Sequence, residues 1–368
     1  MAKLDWSFKN QDASSYDFTS SVQSFTYTQG RQNVLDNYGG GTCQITMRNN
    51  SGQVAAASLS YRKKVYILCE GEVTFKGWVQ GIIYNDTPGN ANDATATILL
   101  GDAWIMAGQQ IAQSQVLASN TTQIDEIDAL LFYPGNFSQD GNTSPIRGSL
   151  TYSSDYASRL NQIVATDRGN FTCVGGENQY YPLRYTSSNN LDNNFIFGPT
   201  NAYTLIYETF NRVQAIGNQT FVNQAQVTPE SLATQTHTND NVATLGYSAV
   251  TVATLDLTTS DGENTAKWIA NSMADPTAEA YQLTVKDVSQ NTIFELQYML
   301  AQTVNLNMDY KPPGGVMQSE RTVTEGLTVR GFVDHTEVDF YLSPYTYYNM
   351  FILNDAINGV LDSSRLGW

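Results

Sequence analysis

Positive charge is scarce in this sequence. It has 19 lysines and arginines against 35 aspartates and glutamates, which gives a net charge of -16 at pH 7. Its basic cluster, Arg62-Lys63-Lys64, is an isolated triplet that we interpret as the solvated start of a strand. A protein that holds nucleic acid regardless of base sequence needs basic stripes, so that class is excluded. The acidic excess either provides solubility or lines a passage through which nucleic acid slides without sticking.

Cysteines and long apolar runs are also few. Cys43, Cys69 and Cys173 form an odd set without paired spacing, which favours folding in a reducing cytosol. No apolar run approaches the ~18 residues that a membrane span needs. The start, Met1–Trp6, lacks the pattern of a signal peptide. We therefore expect neither a secretory leader nor a membrane span.

The usual signatures of catalysis and metal binding are missing. There are two histidines, His237 and His335, and we expect both to be exposed and without a role. Gly-x-Ser-x-Gly, His-Glu-x-x-His and Cys-x-x-Cys are absent. The densest acidic cluster, 125–128, lies beside apolar residues like the solvated face of a helix. The sequence predicts no catalytic residue, metal or cofactor, although a pair of carboxylates acting on a glycosidic bond stays open.

The composition that remains is typical of sheets. Hydrophobic residues make up 41% of the chain, and the polar part is rich in Asn, Thr, Ser, Gln and 22 tyrosines. This mixture suits half-buried pleated surfaces and turns. Cys43, Ile45 and Met47 alternate with polar residues, and apolar strands are also predicted at 65–69 and 95–100. The chain is predicted to be mainly β.

Two stretches near the start return in the same order near the end. Val73–Gln80 is matched position by position by Leu327–Asp334, with Thr, Gly and Val shared. Upstream, Cys43–Asn49 is answered by Tyr281–Asp287. Amphipathic strands draw on few residue types, so chance likeness is the alternative. We predict two similar β-barrels, one at each end of the chain.

A mixed α/β part is expected between the barrels. Helical spacing over 157–164, with Ser153 or Ser154 as N-cap, is followed by a strand pair at 171–174 and 180–185. The predicted domains are residues 1–112 (N-terminal barrel), 113–235 (mixed α/β) and 236–368 (second barrel with an apolar tail).

A helix is also expected after residue 260, within the second barrel domain. Ser260 and Glu263 have capping-box spacing before apolar residues at helical intervals. The nearby acids, Asp256, Asp261 and Glu263, could suggest a calcium loop, but they lack the regular alternation of oxygen ligands. The helix cap is the interpretation we adopt.

Several motifs resemble the minor tail proteins of tailed bacteriophages, the baseplate or tail-tip hub family. Gln29-Gly-Arg31, the strand at 41–50 and Phe75-Lys-Gly-Trp-Val79 resemble the start of that family. The helix leading to 167–174 is similar to its middle domain, and 339–343 with 351–366 resembles its C-terminal signature.

The resemblance implies a trimeric hub of two-barrel chains that adapts the sixfold tail tube to the threefold tip around the DNA channel. Implied partners are two further copies, the distal tail ring protein, the end of the tape-measure protein and a tip fibre or spike. DNA would pass without specific binding. The protein would fold in the host cytoplasm and reside at the distal end of the virion tail.

We expect the edge strands and the apolar tail to form subunit interfaces above ~1,000 Å². The predicted barrel-repeat and interface residues are Phe75, Gly77, Trp78, Val79, Val329, Gly331, Phe332, Val333, Phe351, Ile352, Leu353, Val360, Leu361 and Leu366.

Two other functions stay open. The sixfold distal tail ring protein also pairs an N-terminal barrel with a β-rich domain. A cell-wall hydrolase or receptor-binding module would use the many tyrosines to line a glycan groove.

Overall fold

Strands dominate the part of the chain that the computed structural model describes, which is residues 4–10, 16–86, 91–109, 137–139, 155–167, 170–174, 177–181, 194–197, 207–208, 210–217, 221–256, 258–274, 278–286, 303–310 and 318–344. The prediction of a mainly β chain with a small α/β part is confirmed. The predicted acidic cluster at 125–128 and the tail from Phe351 to Trp368 lie outside these residues.

The first half of the chain contains β1 (Trp6–Asn10), β2 (Tyr16–Asp17), β3 (Val22–Gly30), β4 (Thr42–Arg48), β5 (Lys64–Cys69), β6 (Glu72–Asn85), β7 (Thr95–Gly101), β8 (Phe137–Gln139), β9 (Asn170–Val174) and β10 (Glu177–Tyr181). The second half contains β11 (Asn194–Phe197), β12 (Tyr207–Glu208), β13 (Phe210–Gly217), β14 (Gln224–Pro229), β15 (Gln235–Thr238), β16 (Ala249–Thr254), β17 (Ala278–Lys286), β18 (Thr303–Tyr310), β19 (Gln318–Gly331) and β20 (Thr336–Pro344).

In the described ranges, helices are fewer than strands. They are α1 (Gln53–Ala56), α2 (Ala103–Gly108), α3 (Tyr156–Asp167), α4 (Val242–Leu245) and α5 (Thr259–Ser272), with 3-10 turns at Thr19–Ser21 and Ala91–Asp93. Asp155 accepts a hydrogen bond from the Ser158 backbone at 2.8 Å, so it rather than Ser153 or Ser154 begins α3. An aspartate carboxylate there also meets the positive end of the helix dipole.

Helix α5 begins two residues before the predicted position. Thr258 and Asp261 form the capping box, in which the Asp261 backbone donates to Thr258 Oγ1 at 3.2 Å and the Asp261 side chain accepts from the Thr258 backbone. Ser260 and Glu263 therefore lie inside the helix. The capping interpretation is therefore correct for Asp261 alone, since Asp256 accepts a hydrogen bond from Thr254 and Glu263 pairs with Lys267.

One large sheet contains most of the strands, in the order β12-β11-β18-β19-β3-β4-β7-β6-β5-β1-β2, with β20, β17 and β13 branching from β19. Two three-stranded sheets, β8-β10-β9 and β15-β14-β16, lie off it. The second of these pairs β14 with β16 in parallel and packs on α5. Strand β13 precedes the predicted boundary at 235 but pairs with β17, which follows it.

A five-strand order occurs twice in the large sheet. The first repeat is β3-β4-β7-β6-β5 and the second is β13-β17-β20-β19-β18, with every neighbouring pair antiparallel. The chain also visits the corresponding strands in the same sequence. A chance likeness of two amphipathic segments would not produce the same order and direction over five strands.

The two repeats share a β-bulge at the same place. In the first, Gln23 is the extra residue opposite Thr46 and Met47. In the second, Asn211 is the extra residue opposite Thr284 and Val285. Because Thr46 and Met47 match Thr284 and Val285 in the sequence likeness of β4 and β17, that likeness is in register with the structure. Bulges are kept within families, so their coincidence supports a duplication.

A second bulge fixes the correspondence of β6 and β19. Gln80 is the extra residue opposite Leu99 and Leu100, and Glu325 is the extra residue in β19. Each is followed by glycine, Gly81 and Gly326. The two similar sequences therefore lie in corresponding strands but not at corresponding positions. The bulges place Gln80 at the position of Glu325, whereas the sequence match sets it against Asp334. Closure of each repeat into a barrel stays a prediction.

One core joins the repeats. Side chains of both pack into a single cluster, because alternate residues of each strand face inward. Cys43, Ile45 and Met47 are buried in it as predicted. From the second repeat it includes Leu283, Val285, Leu327, Val329, Val338, Phe340 and Leu342.

In the triple glycine at 39–41, Gly40 and Gly41 are packed, whereas Gly39 has open space around it. Asp102, the buried N-cap of α2, accepts hydrogen bonds from the backbone of Gly41 at 2.7 Å, Trp104 at 3.0 Å and Ile105 at 3.2 Å. A Cβ on Gly41 would lie 2.6 Å from Asp102 Oδ2. The glycine is required here because the carboxylate occupies the place of a side chain.

Candidate subunit interface

The repeats meet at a seam between β3 and β19. Residues Phe25–Gly30 pair antiparallel with Gly326–Gly331, so that an outer strand of the first repeat continues the sheet of the second. The half of β19 that takes part is the one that follows its bulge. The seam is therefore a strand-edge junction between two similar units, formed within one chain.

Glycines let the two backbones approach at the seam. Gly30 lies opposite Gly326 and has a φ of +79°. A Cβ on Gly326 would lie 2.5 Å from the Arg31 carbonyl oxygen and 2.6 Å from that of Gln29. Both positions are thus closed to larger residues, because the atoms they would strike are backbone.

A buried ion pair closes the bulge end of the seam. Arg31 Nε lies 2.7 Å from Glu325 Oε2, with side-chain exposures of 7% and 0%. The Arg31 backbone also donates to the Glu325 carbonyl at 3.0 Å, and its guanidinium lies 4.6 Å from the Tyr38 ring centroid. Burial raises the pKa of nearby Asp36. The charge of Arg31 lowers this pKa, and the charge of Glu325 raises it further.

The structure separates the predicted interface residues into two groups. Phe75, Gly77, Trp78, Val79, Val329 and Gly331 are buried inside the chain, where they build the core and the seam. Phe332 and Val333 are 42% and 69% exposed. The six from Phe351 to Leu366 lie outside the described residues. Among the described members of the set, Phe332 and Val333 expose their side chains, and a contact of any member with another chain stays a prediction.

A shallow groove of about 250 Å³ lies beside Phe332 and Val333. Trp6 crosses to the second repeat, where its Nε1 donates to Thr336 Oγ1 at 3.0 Å, and its ring packs edge-on against Phe25 at 4.7 Å. Gly331 leaves room for the Phe25 ring, which a Cβ there would strike. The first and last strands of the fold are thereby tied together.

Both histidines are half-buried rather than exposed as expected, while the expectation that neither has a functional role stays a prediction. His335 stacks on Phe332 at 4.6 Å, with Nδ1 2.7 Å from Asp334 Oδ1 and Nε2 3.3 Å from Glu337 Oε1. His237 Nε2 lies 3.3 Å from Asn271 Oδ1. The first set of contacts lies at the turn between β19 and β20, and the second joins β15 to α5.

A charged network lies on β20 and its neighbours. Arg330 donates to both oxygens of Asp339, at 2.6 and 2.9 Å, and Thr284 Oγ1 donates to the same carboxylate at 2.7 Å. Donating these hydrogen bonds to Asp339 raises the pKa of Arg330. Because this pair is bidentate and partly buried, it fixes the three strands β17, β20 and β19 against one another.

The second half of β6 presents an edge with exposed apolar side chains. Strand β5 pairs with β6 only as far as Trp78, while β7 pairs with the other edge up to Asn85. Ile83 and Tyr84 are 50% and 57% exposed. No strand in the described ranges pairs with the outer edge of Gly81–Asn85. Such an edge is a template for another strand.

A cavity of about 390 Å³ lies where the loop after β3 meets α3, β16 and α5. Arg31, Asp36, Asn161 and Trp268 are among its lining residues. Across the residues that the structure describes, no three His, Cys, Asp or Glu side chains come close enough to hold a metal ion. None of the described helices is long and apolar enough to cross a membrane.

No model of a known protein family matches the sequence, and no curated protein matches it. Solved structures share its fold. A tail protein from Neisseria meningitidis MC58 has a TM-score of 0.60 at 11% identity, over 93% of this chain and 96% of that one. The 43 kDa tail protein of prophage MuSo2 from Shewanella oneidensis has a TM-score of 0.61 at 10% identity, over 94% and 98%.

A third similar structure is a component of the type VI secretion system from E. coli, described as structurally similar to the T4 bacteriophage tail proteins gp27 and gp5. Its TM-score is 0.54 at 10% identity, over 92% of this chain and 76% of that one. These proteins are described as tail proteins or as a secretion-system component, not as enzymes. The resemblance to phage tail proteins that the motifs indicated therefore holds for the fold of this chain.

Proposed function

We propose that this protein is a structural hub at the distal end of a bacteriophage tail, three copies of which form a ring around the DNA channel. The observation that carries the proposal is the five-strand order that occurs twice in one chain. The fold shared with tail proteins over nearly the whole chain supports the same role.

The duplication has a mechanical use in such a ring. Three chains with two similar units each present six similar faces to a sixfold tube while remaining threefold toward the tip. The predicted closure of each repeat into a barrel, within domains 1–112 and 236–368, belongs to this proposal. The net charge of -16 suits a channel that DNA must traverse without sticking.

The proposed partners follow from that position. The ring would contact the distal tail ring protein on the tube side and a tip fibre or spike on the other. The end of the tape-measure protein would occupy the channel before ejection. A role of this kind consists of holding and releasing neighbours, so it uses no bond-making step.

Two other functions make different predictions. A distal tail ring protein would assemble as six copies, and the repeated strand order favours the hub because three duplicated chains already supply six units. A cell-wall hydrolase would need a working pair of carboxylates. Loss of activity against purified cell wall on changing such a pair would support that alternative.

Native mass spectrometry of the purified chain tests the proposal. Three copies per particle are expected, whereas six copies would contradict the hub. Deleting 351–368 should leave soluble chains that do not assemble, since an apolar tail of this kind docks on its own or a neighbouring subunit. Electron micrographs of tails labelled on this chain should show the label at the distal end only.

A further inference from the structure

Each of the two strand edges that form the seam has an equivalent edge in the other repeat. At the seam, the outer edge of β3 meets the half of β19 that follows the bulge. The strand equivalent to β3 is β13, and the segment equivalent to that half of β19 is Gly81–Asn85 of β6. Among the described strands, β13 pairs with β17 alone, and the outer edge of Gly81–Asn85 has no partner.

These two edges complement each other, and the described strands do not pair them within the chain. The junction is heterologous, because a β3-type edge meets a β6-type edge and the two differ. Repetition of a heterologous junction from chain to chain gives a ring if the rotation closes. The second repeat of one copy would thus meet the first repeat of the next.

Side chains on the free edge fit this arrangement. Tyr84 corresponds to Val329, which is 0% exposed where the seam covers it, whereas Tyr84 is 57% exposed. Gly81 corresponds to Gly326, but a Cβ on Gly81 would meet only Leu99, at an ordinary 3.8 Å. The first repeat therefore keeps a glycine and an exposed aromatic where the second repeat has a packed junction.

We propose that β13 of a second copy of this chain adds antiparallel to the Gly81–Asn85 edge and continues the sheet across the subunit boundary. Because the bulge residues Gln23 and Asn211 correspond, Ile216 takes the place of Thr28. Ile216 of one copy therefore lies opposite Ile83 of the next, and this pair reproduces the pair Thr28 and Thr328 of the seam. This inference rests on the proposed trimeric ring and names the strands that close it.

Cysteine cross-linking of the full chain tests the register. Directly opposed residues of antiparallel strands lie close enough for a disulfide. Ile83→Cys/Ile216→Cys should give covalent trimers on a denaturing gel run without reductant. Thr28→Cys/Thr328→Cys, at the equivalent place in the seam, should link within one chain and leave the mass unchanged.

Three controls accompany the pair. Each single variant alone should give no cross-linked species. A mixture of the two single variants should give covalent dimers and nothing larger, because each chain then carries one added cysteine. Burial raises the pKa of the Cys69 thiol to about 12 and that of Cys43 well above its usual range, so these native thiols are poor cross-linkers. Ile83→Cys/Ala215→Cys, displaced by one residue, should link poorly, because a one-residue slip reverses the side-chain direction.

Gly81→Ala provides a second test that does not involve oxidation. The chain should fold with unchanged stability, because the added methyl group has room. Assembly should weaken by about tenfold or more, as the methyl group would strike the incoming backbone. Gly39→Ala is the matched control, since nothing lies within 4 Å of its added Cβ.

The outcomes separate this inference from the hub itself. A particle of three copies that gives no cross-link, or links equally in the displaced register, overturns the strand pairing and leaves the hub standing. Six copies with the cross-link support the pairing and overturn the trimer. A chain that stays monomeric and does not link overturns both.

Discussion

Arg31 and Glu325 form a buried ion pair at the point where the two halves of the chain join, with Nε and Oε2 2.7 Å apart. Glu325 is the bulge residue of the second repeat. Its counterpart in the first repeat, Gln80, is a neutral amide that accepts a hydrogen bond from Gln109 Nε2 at 2.8 Å. The second repeat thus has an acid, Glu325, at the position where Arg31 of the first repeat pairs with it, and the first repeat has an amide at the equivalent position.

Replacing Arg31 with methionine should strongly destabilise the chain. Glu325 would remain 0% exposed without its opposite charge, and breaking a buried pair in this way costs about 3–5 kcal/mol. The measurement is the free energy of unfolding in urea, followed by tryptophan fluorescence. Arg31→Met/Glu325→Leu should recover much of that loss, because both charges are then absent.

The matched control for that pair is Lys267→Met. Lys267 and Glu263 lie 2.8 Å apart on the surface of α5, with exposures of 35% and 48%. The unfolding free energy should hardly change, since water screens such pairs. Equal losses for Arg31→Met and Lys267→Met would contradict the importance of the buried pair.

Gly326→Ala should lower the unfolding free energy by about 1–3 kcal/mol, because its Cβ meets backbone oxygens at the seam. Gly39→Ala, with open space around the same added atom, should have no effect. Thermal unfolding of the two variants at equal concentration makes the comparison. Equal melting temperatures would show that the seam is looser than the backbone approach indicates.

Stability should depend on pH through Asp102. Burial raises the pKa of its carboxyl from 3.8 to about 7, against the lowering by three backbone N–H groups. The folded state then holds this proton more tightly than the unfolded chain, so the stabilisation is fully present below about pH 4 and is lost as the pH rises through about 7.

The test for Asp102 compares urea unfolding of the native chain and Asp102→Asn across that pH range. Relative to the variant, the native chain should lose at most roughly 4 kcal/mol as the pH rises, at 1.36 kcal/mol per pKa unit. The difference between the two isolates Asp102 from other acids. Parallel pH curves would mean that the carboxylate is ionised throughout.

Tyr84→Glu should weaken subunit association by about tenfold or more, since it places a charge on the edge that the neighbouring strand would cover. Tyr247→Glu is the control, because Tyr247 is 72% exposed and lies away from that edge. Sedimentation at several concentrations measures both. A larger effect for Tyr247 would direct attention to the β15-β14-β16 sheet instead.

Strand positions could be predicted from the sequence because alternation is a local signal. The strand predicted at 95–100 is β7 at Thr95–Gly101, and the inward face of Cys43, Ile45 and Met47 was correct. The likeness of β4 and β17 could be recognised as well. In both repeats the middle strands keep similar side chains because each is flanked by neighbours on either side.

What the sequence did not predict depends on distant partners. Nothing local marks Glu325 as the partner of Arg31, since 294 positions separate them. The heights of β6 and β19 were misjudged because strands with the same alternation of side chains can be aligned at several heights. The parallel pairing of β14 with β16 was also missed, because β15 and α4 separate the two strands in the sequence.

The seam between β3 and β19 also bears on the order of folding. Strand β3 is complete at residue 30, but its outer neighbour ends at residue 331. During synthesis the early strand therefore waits with an uncovered hydrogen-bonding edge until residue 331 has left the ribosome. Pairing over such a separation is slow, so capture of that waiting edge by another nascent chain is the main competitor of correct folding.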